Sequence, residues 1–342
     1  MPRSDGTARS RAVTLRDVAQ LAGVSVATAS KALNGRADVR PDTRVRVEEI
    51  AARLGFTPNT LAQAMLAGQT GTVGLMTNDL VGRFSLPILM GAEDATGAGR
   101  MSVLLCDARG DAIREQYHLR ALLGRRVDGI IVVGSATDPR PSLGHHVPVP
   151  VVYAYAPSDD AQDASVVADN VRAGELAVEH LLATGRRRIA HISGDVAYAA
   201  AHDRVRGADQ VLSEAGLTRV GPVLFGSWTE SWGRTAAQIV LDQGGDVDAI
   251  VCGSDQIARG VLDTLRDRGV DVPGDVAVMG FDNWEAMVSG SRPSLTTVDM
   301  QFETMGRRAA ELLFAAIDGR PSHGVEAIEP RLVVRGSTAV GV

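Results

Sequence analysis

Apolar residues at Leu15, Val18, Ala19 and Ala22 recur at the i, i+3, i+4, i+7 spacing of one buried helix face. Thr14 stands just ahead of them. With Asp17 it has capping-box spacing, Asp taking the position usually held by Glu or Gln. Gly23 ends the helix, where a residue without Cβ takes the left-handed conformation. Ser25 then caps a second helix, with Val24 and Ala29 at the staple positions on either side. Two helices joined by a turn of about four residues containing Gly form the helix-turn-helix pattern, though many such hairpins bind no DNA. After the turn dipeptide Asn34-Gly35, Pro41 opens a third helix reaching about Leu54, and Val47, Ile50, Ala51 and Leu54 give it an apolar stripe. Pro58 and Asn59 then begin a short helical stretch, Leu61 to Leu66, which Gly68 ends. It is too short to hold a helix alone in water and needs a partner helix, DNA, or both.

From Thr72 the pattern changes to short β-type runs (TVGLM, MSVLLC, GIIVVG, VPVVYAY, RIAHISG, AIVCG and VAVMGF). Helical periods lie between them, among them EQYHLRALLGRR, AGELAVEHLLATG and DQIARGVLDTLRDRG. Such alternation predicts parallel sheets covered on both faces. The stretch is too long for one sheet and suits two doubly wound lobes with a cleft beyond the carboxyl ends of the strands.

Charge changes this picture more than composition does. Residues 1–68 carry ten Arg or Lys against six Asp or Glu, a net of +4, whereas the rest of the chain is acidic with 25 against 35. A basic N-terminal module on an acidic body is the split expected of a DNA reader joined to something else. Lys31, on the second helix, is the only lysine of the 342 residues. No run is long and apolar enough for a membrane span, and the Arg-rich start has no apolar core of a secretory signal. Residues 1–12 read as a disordered arm. Cys106 and Cys252, in strand-like runs, read as buried free thiols rather than a disulfide or metal site. The seven histidines lack metal-ligand spacing, and His145-His146 beside Pro148 reads as a solvated loop.

Taken in order, these motifs resemble the lactose-repressor (LacI/GalR) family of bacterial transcription regulators. The resemblance rests on TLRDVAQLAGVSVATASKALNG at 14–35, GFTPN at 55–59, VDGIIV at 127–132, Asp169-Asn170 and DRVRG at 203–207. SDQIARG at 254–260, VPGDVAVMGFDN at 272–283, LTTV at 295–298 and VVRGST at 333–338 follow. It implies an α plus α/β fold: a helix-turn-helix domain at 13–58, a hinge helix at 59–69, and a periplasmic-binding-protein-like body at 70–342. In the body, the first lobe would take about 71–165 and 299–329, and the second about 166–298 and 330–340. A cytoplasmic, nucleoid-associated homodimer bound to a double-stranded, near-palindromic operator is implied, with no membrane partner, no cofactor and no metal. The absence of Leu heptads after Arg335 argues against a coiled-coil tetramer.

The resemblance also nominates residues. Val26, Ala27 and Lys31 stand at base-reading positions, with Lys31 able to donate to guanine and the other two offering apolar contact. Thr14, Ser25, Thr28, Ser30, Asn34 and Asn59 would hold the DNA backbone. Met65, with Ala62, would wedge into the minor groove from the hinge helix. The family's usual Arg residues are missing from AQAMLAGQT, which predicts weaker phosphate anchoring and a shallower salt dependence. In the body, Asp79, Phe84 and Ser135 from the first lobe would face Arg204, Trp228, Ser254, Asp255 and Asp282 from the second. Aromatic faces with Arg and Asp suit a sugar ring, and nucleosides or purines use the same set. Bland alternatives are that Trp228 is core and that Arg204 pairs with Asp203 or Asp169.

Met300, where the family often has Gln, and Trp232, where a small residue is common, mark an individual pocket. The default reading is a repressor released by a sugar-type inducer, with a co-repressor-dependent regulator as the alternative. A secreted solute-binding protein would not need residues 13–68. An enzyme would need a nucleophile–base pair or a phosphate loop, and no GxGxxG or GxxxxGK[ST] is present.

Overall fold

The computed structural model describes residues 13–33, 38–56, 69–78, 84–95, 102–243 and 246–339. Asn34, Asn59, Ala62, Met65 and Asp79 lie outside them, as do the arm at 1–12 and the hinge segment 57–68. The chain divides into two compact units, Met1–Thr70 and Gly71–Val342.

In the first unit, helices α1 (Leu15–Ala22), α2 (Val26–Leu33) and α3 (Pro41–Leu54) enclose a small core. Val18, Ala19 and Ala22 meet Ala29 and Ala32 of α2 and Val47, Ile50 and Ala51 of α3, with Val39 between. Alanine at five of these positions lets the helices approach closely. Thr14 and Asp17 form the reciprocal capping box, the Asp17 carboxylate accepting from the Thr14 amide at 2.8 Å. Gly23 ends α1 with φ of 65°, a left-handed turn that only glycine takes without strain.

The second unit holds two sheets. The first is built from β1 (Thr72–Thr77), β2 (Ser102–Asp107), β3 (Gly129–Val133), β4 (Val151–Ala154), β5 (Ala164–Ala168) and β10 (Gly324–Ile328) in the order β10-β5-β4-β3-β1-β2. All its pairings are parallel. Helices α4 (Ser85–Ala95), α5 (Ala112–Gly124) and α11 (Phe302–Ile317) accompany it. The second sheet runs β11-β9-β8-β7-β6, from β6 (Ile189–Ile192), β7 (Ala249–Cys252), β8 (Ala277–Phe281), β9 (Thr296–Asp299) and β11 (Arg331–Val333). Only β11 is antiparallel. Its helices are α6 (Asn170–Ala183), α7 (Ala199–Glu214), α8 (Glu230–Asp242), α9 (Asp255–Asp267) and the short α10 (Glu285–Val288).

All five residues of β3 are buried: Ile131 and Val133 face one core, Ile130 and Val132 another. This two-sided burial is why the parallel strands read as continuous apolar runs. The chain passes between sheets three times, after β5, after β9 and after β10. Strand β5 spans the approximate lobe boundary expected from sequence, about 166. Val166 pairs with Ala154 and Ala168 with Ile328, so 166–168 belong to the first sheet and the first passage falls at Asp169. Asp299, assigned from sequence to the first lobe, closes β9 in the second sheet and pairs with Arg331.

Helices α6 and α7 meet at reciprocal glycines. A Cβ on Gly174 would lie 2.1 Å from the Arg204 carbonyl oxygen, and one on Gly207 would lie 2.0 Å from that of Val171. That close approach sets the depth at which α7 carries Arg204.

Candidate functional site

The first unit presents one face of α2 outward. Ala29 and Ala32 are buried, while Val26, Ala27 and Lys31 are exposed on the opposite side. Ser25 caps α2: its hydroxyl oxygen accepts from the Thr28 amide at 3.0 Å and lies 2.8 Å from the Thr28 hydroxyl. The two hydroxyls therefore already hold each other at the helix start, next to the exposed face. Thr14 donates its hydroxyl to Asp17 at 2.7 Å, and Ser30 is half-buried on α2. The Lys31 ammonium lies 2.6 Å from the Asp38 carboxylate.

In the second unit the described nominated residues follow strands of the two sheets: Phe84 comes after β1, Ser135 after β3, Arg204 and Trp228 after β6, Ser254 and Asp255 after β7, and Asp282 after β8. From the first lobe, Phe84 stacks on Tyr155 with ring centroids 4.6 Å apart and leans on Phe302 at 4.9 Å. Ser135 is exposed, just beyond β3. From the second lobe, Arg204 is buried on α7 with its guanidinium 4.7 Å above the Phe281 ring. It donates to Asn170 Oδ1 at 2.9 Å, to the Gly253 carbonyl at 2.6 Å and to Asp282 Oδ1 at 3.2 Å. Neither Asp203 nor Asp169 is its partner: Asp203 pairs with Arg206, and Asp169 caps α6 by accepting from the Arg172 amide. Asp282 and Asn283 both have positive φ, 98° and 51°. Left-handed backbone at two consecutive non-glycine residues is strained, and here it accompanies the turn of Asp282 toward Arg204.

Trp228 packs against the second lobe's core and meets Tyr198 edge-to-face at 5.8 Å. Its ring lies against Gly194, where an added Cβ would fall 2.2 Å from the indole. The buried indole Nε1 has no hydrogen-bond acceptor among the described residues. Trp232 donates its own Nε1 to the Ser193 carbonyl at 2.9 Å and so braces the end of β6.

Ser254 and Asp255 are placed differently. Ser254 is fully buried and caps α9, accepting from the Ile257 amide. Asp255 is also buried and accepts from the Thr297 hydroxyl at 2.6 Å and the Trp284 amide at 2.8 Å. It ties α9 to β9 and to the loop after β8. Met300 is buried among the core residues.

The sequence reading did not single out Tyr155, Phe302, Tyr198, Thr137 or Asp138, and it gave Asn170 only as part of the Asp169-Asn170 motif. Tyr155 and Phe302 complete the aromatic wall around Phe84 from chain positions 71 and 218 residues away. No local pattern joins them. A cavity of about 400 Å³ opens beside this wall, lined by Pro87, Asp282, Trp284, Gln301, Phe302 and Arg331 among others. Among the described residues no cluster of His, Cys, Asp and Glu could hold a metal ion, and no helix is long and apolar enough to cross a membrane.

Comparison with known proteins bears on both units. The family model for bacterial regulatory proteins of the lacI family matches residues 14–59, and a periplasmic binding protein-like domain model matches 178–338. Catabolite control protein A of Priestia megaterium is 34% identical over 304 residues, covering 88% of this chain and 91% of that protein. The crystal structure of the lac repressor dimer bound to operator and the anti-inducer ONPF matches with a TM-score of 0.78 at 26% identity, covering 96% of this chain and 99% of that one. The complex of transcriptional regulator CelR with cellobiose matches with a TM-score of 0.65 at 31% identity, covering 95% and 99%.

Proposed function

The chain belongs to the lacI family of bacterial regulatory proteins, and from that membership we propose that it is a repressor released from its operator by a sugar-type effector. It is a DNA-binding transcriptional regulator with an effector-binding body. In this reading two copies pair, each laying α2 into a major groove of one half-site, so that the operator is near-palindromic. Lys31 donates to a guanine edge, Val26 and Ala27 make apolar contact with a base such as the thymine methyl, and Thr14, Ser25, Thr28 and Ser30 hold phosphates. Asn34, Asn59 and the hinge wedge of Met65 and Ala62 complete the contact.

The observation that carries the effector reading is a cavity whose lining joins Phe302, packed with Phe84 and Tyr155 on one lobe, to Asp282, the partner of the buried Arg204 on the other. An apolar wall facing an oriented carboxylate suits a sugar ring, whose C–H faces are apolar and whose rim is hydroxyl. Trp228 adds a buried N–H donor with no acceptor among the described residues. Effector and operator then oppose each other through linkage, each lowering the other's affinity by the same factor.

Operator titration of the full-length protein with a sugar panel tests this. Release of the operator by at least one neutral sugar is expected. Ligands that only tighten operator binding would reverse the inducer assignment.

A further inference from the structure

Helix α7, which carries Arg204, lacks a cap of its own: the side chain of its N-cap residue, Tyr198, makes no capping bond. The cap comes instead from the opposite lobe. Thr137 Oγ1, in the loop after β3, accepts from the Ala200 amide at 2.9 Å. Both carboxylate oxygens of Asp138 stand 3.3 Å from the Ala199 amide. A helix N-terminus carries about half an elementary positive charge and is the natural place for an anion. Here that place is filled by a carboxylate reaching across the cleft.

We propose that Thr137 and Asp138 are specificity-determining residues that latch the first lobe onto α7 and restrict the cleft to an uncharged effector. The proposal rests on the cleft being the effector site, and a second observation carries it independently. Arg204 is the only buried arginine among the described residues, and it is neutralised by Asp282 and further occupied by Asn170 and the Gly253 carbonyl. Among the described residues the other arginine beside the cavity, Arg331, is likewise paired, with Asp299 at 3.2 Å, so a phosphorylated or carboxylated ligand would meet paired cations there and would face the Asp138 and Asp282 carboxylates. The indole N–H of Trp228 is a buried neutral donor with no acceptor among the described residues, which suits a hydroxyl or ether oxygen.

Hydrogen exchange of the full-length protein, read at the Ala199 and Ala200 amides, tests the latch. In Thr137→Ala/Asp138→Ala these amides are expected to exchange about tenfold faster, the scale of a lost cap. The first turn of α9, capped by its own Ser254, should keep its rate. Millimolar inorganic sulfate should restore protection in the double variant, where the helix end is vacant, and change nothing in the wild type. Unchanged rates at Ala199 and Ala200 would overturn the proposal, as would equal acceleration at α9 or sulfate protection equal in both proteins. So would a wild-type releasing ligand that bears a phosphate or carboxylate. Failure to bind an operator would sink the functional reading and leave the exchange result standing.

Discussion

The Lys31 ammonium, on the exposed face of α2, lies 2.6 Å from the carboxylate of Asp38, just ahead of α3. The sole lysine of the chain is thus held by an acidic residue seven positions away. Both side chains are about half exposed, so the pair contributes little, about 0–1 kcal/mol, and opening it to reach a base edge is inexpensive. Lys31→Ala is expected to weaken operator binding by about 1–3 kcal/mol and relax the preference at one base pair. Asp38→Asn should change affinity by at most about 1 kcal/mol. Binding to single-base operator variants measures both. A uniform loss across all variants would make Lys31 a phosphate contact instead.

Asp282→Asn keeps an oxygen facing Arg204 but removes the charge that balances a buried guanidinium. A loss on the order of 3 kcal/mol in stability is expected, because an uncompensated buried charge is left behind. Urea denaturation measures it, and the ligand that releases the wild type should no longer release the variant at the same concentration. Wild-type stability with wild-type response would remove Asp282 from the effector site.

Gly174→Ala would place a methyl 2.1 Å from the Arg204 carbonyl oxygen, a backbone atom that cannot swing aside. Helix α7 must shift, at about 1–3 kcal/mol. Because Arg204 rides on α7, the effector response should weaken together with the melting temperature. A substitution on the α4–α11 seam, such as Gly91→Ala, serves as a control that strains the first lobe without moving α7 directly.

His191 in β6 is buried, and burial pushes its pKa down to about 4 from the ordinary 6.5. The unfolded chain takes up a proton near pH 6.5 while the folded chain resists until about 4, so stability is full above pH 6.5 and falls as the pH drops through that window. The loss amounts to about 3 kcal/mol at the acid end. His191→Asn should flatten this part of the profile, measured by denaturant melts from pH 7 to 4. An equal slope in both proteins would place the acid sensitivity elsewhere.

Gln63→Arg with Gln69→Arg adds two phosphate-binding charges per chain to the Arg-poor hinge sequence. The slope of log affinity against log salt should steepen by about two per operator half-site. Parallel slopes would mean that the hinge sequence does not approach phosphates.

The sequence by itself determined the helices of the first unit and the doubly buried strands of the second. Helix α1 is legible from Thr14 to Gly23 because its cap, its apolar period and its stop signal all lie within ten consecutive residues. The doubly buried strands are legible because parallel strands must be apolar on both faces. The edge strand β10 escaped notice: its residues alternate between half-buried and exposed, and GVEAI carries little apolar signal. Strand β5 also escaped notice, because its place in the first sheet is decided by Ala154 and Ile328 on neighbouring strands, not by residues 166–168 themselves.

Tertiary structure decided what each polar group does. Arg204 and Asp282 are 78 residues apart and become partners only when α7 and the loop after β8 converge. Asp255, a plausible ligand residue from its motif, proves to hold α9 against β9. Phe84 gains Tyr155 and Phe302 only through the stacking of three separate elements. The cap on α7 comes from Thr137 and Asp138, across the cleft and more than sixty residues away. Local periodicity reports which face of an element is buried. Hydrogen-bond and ion-pair partners depend on how the two sheets and their helices pack, and no spacing along the chain encodes that packing.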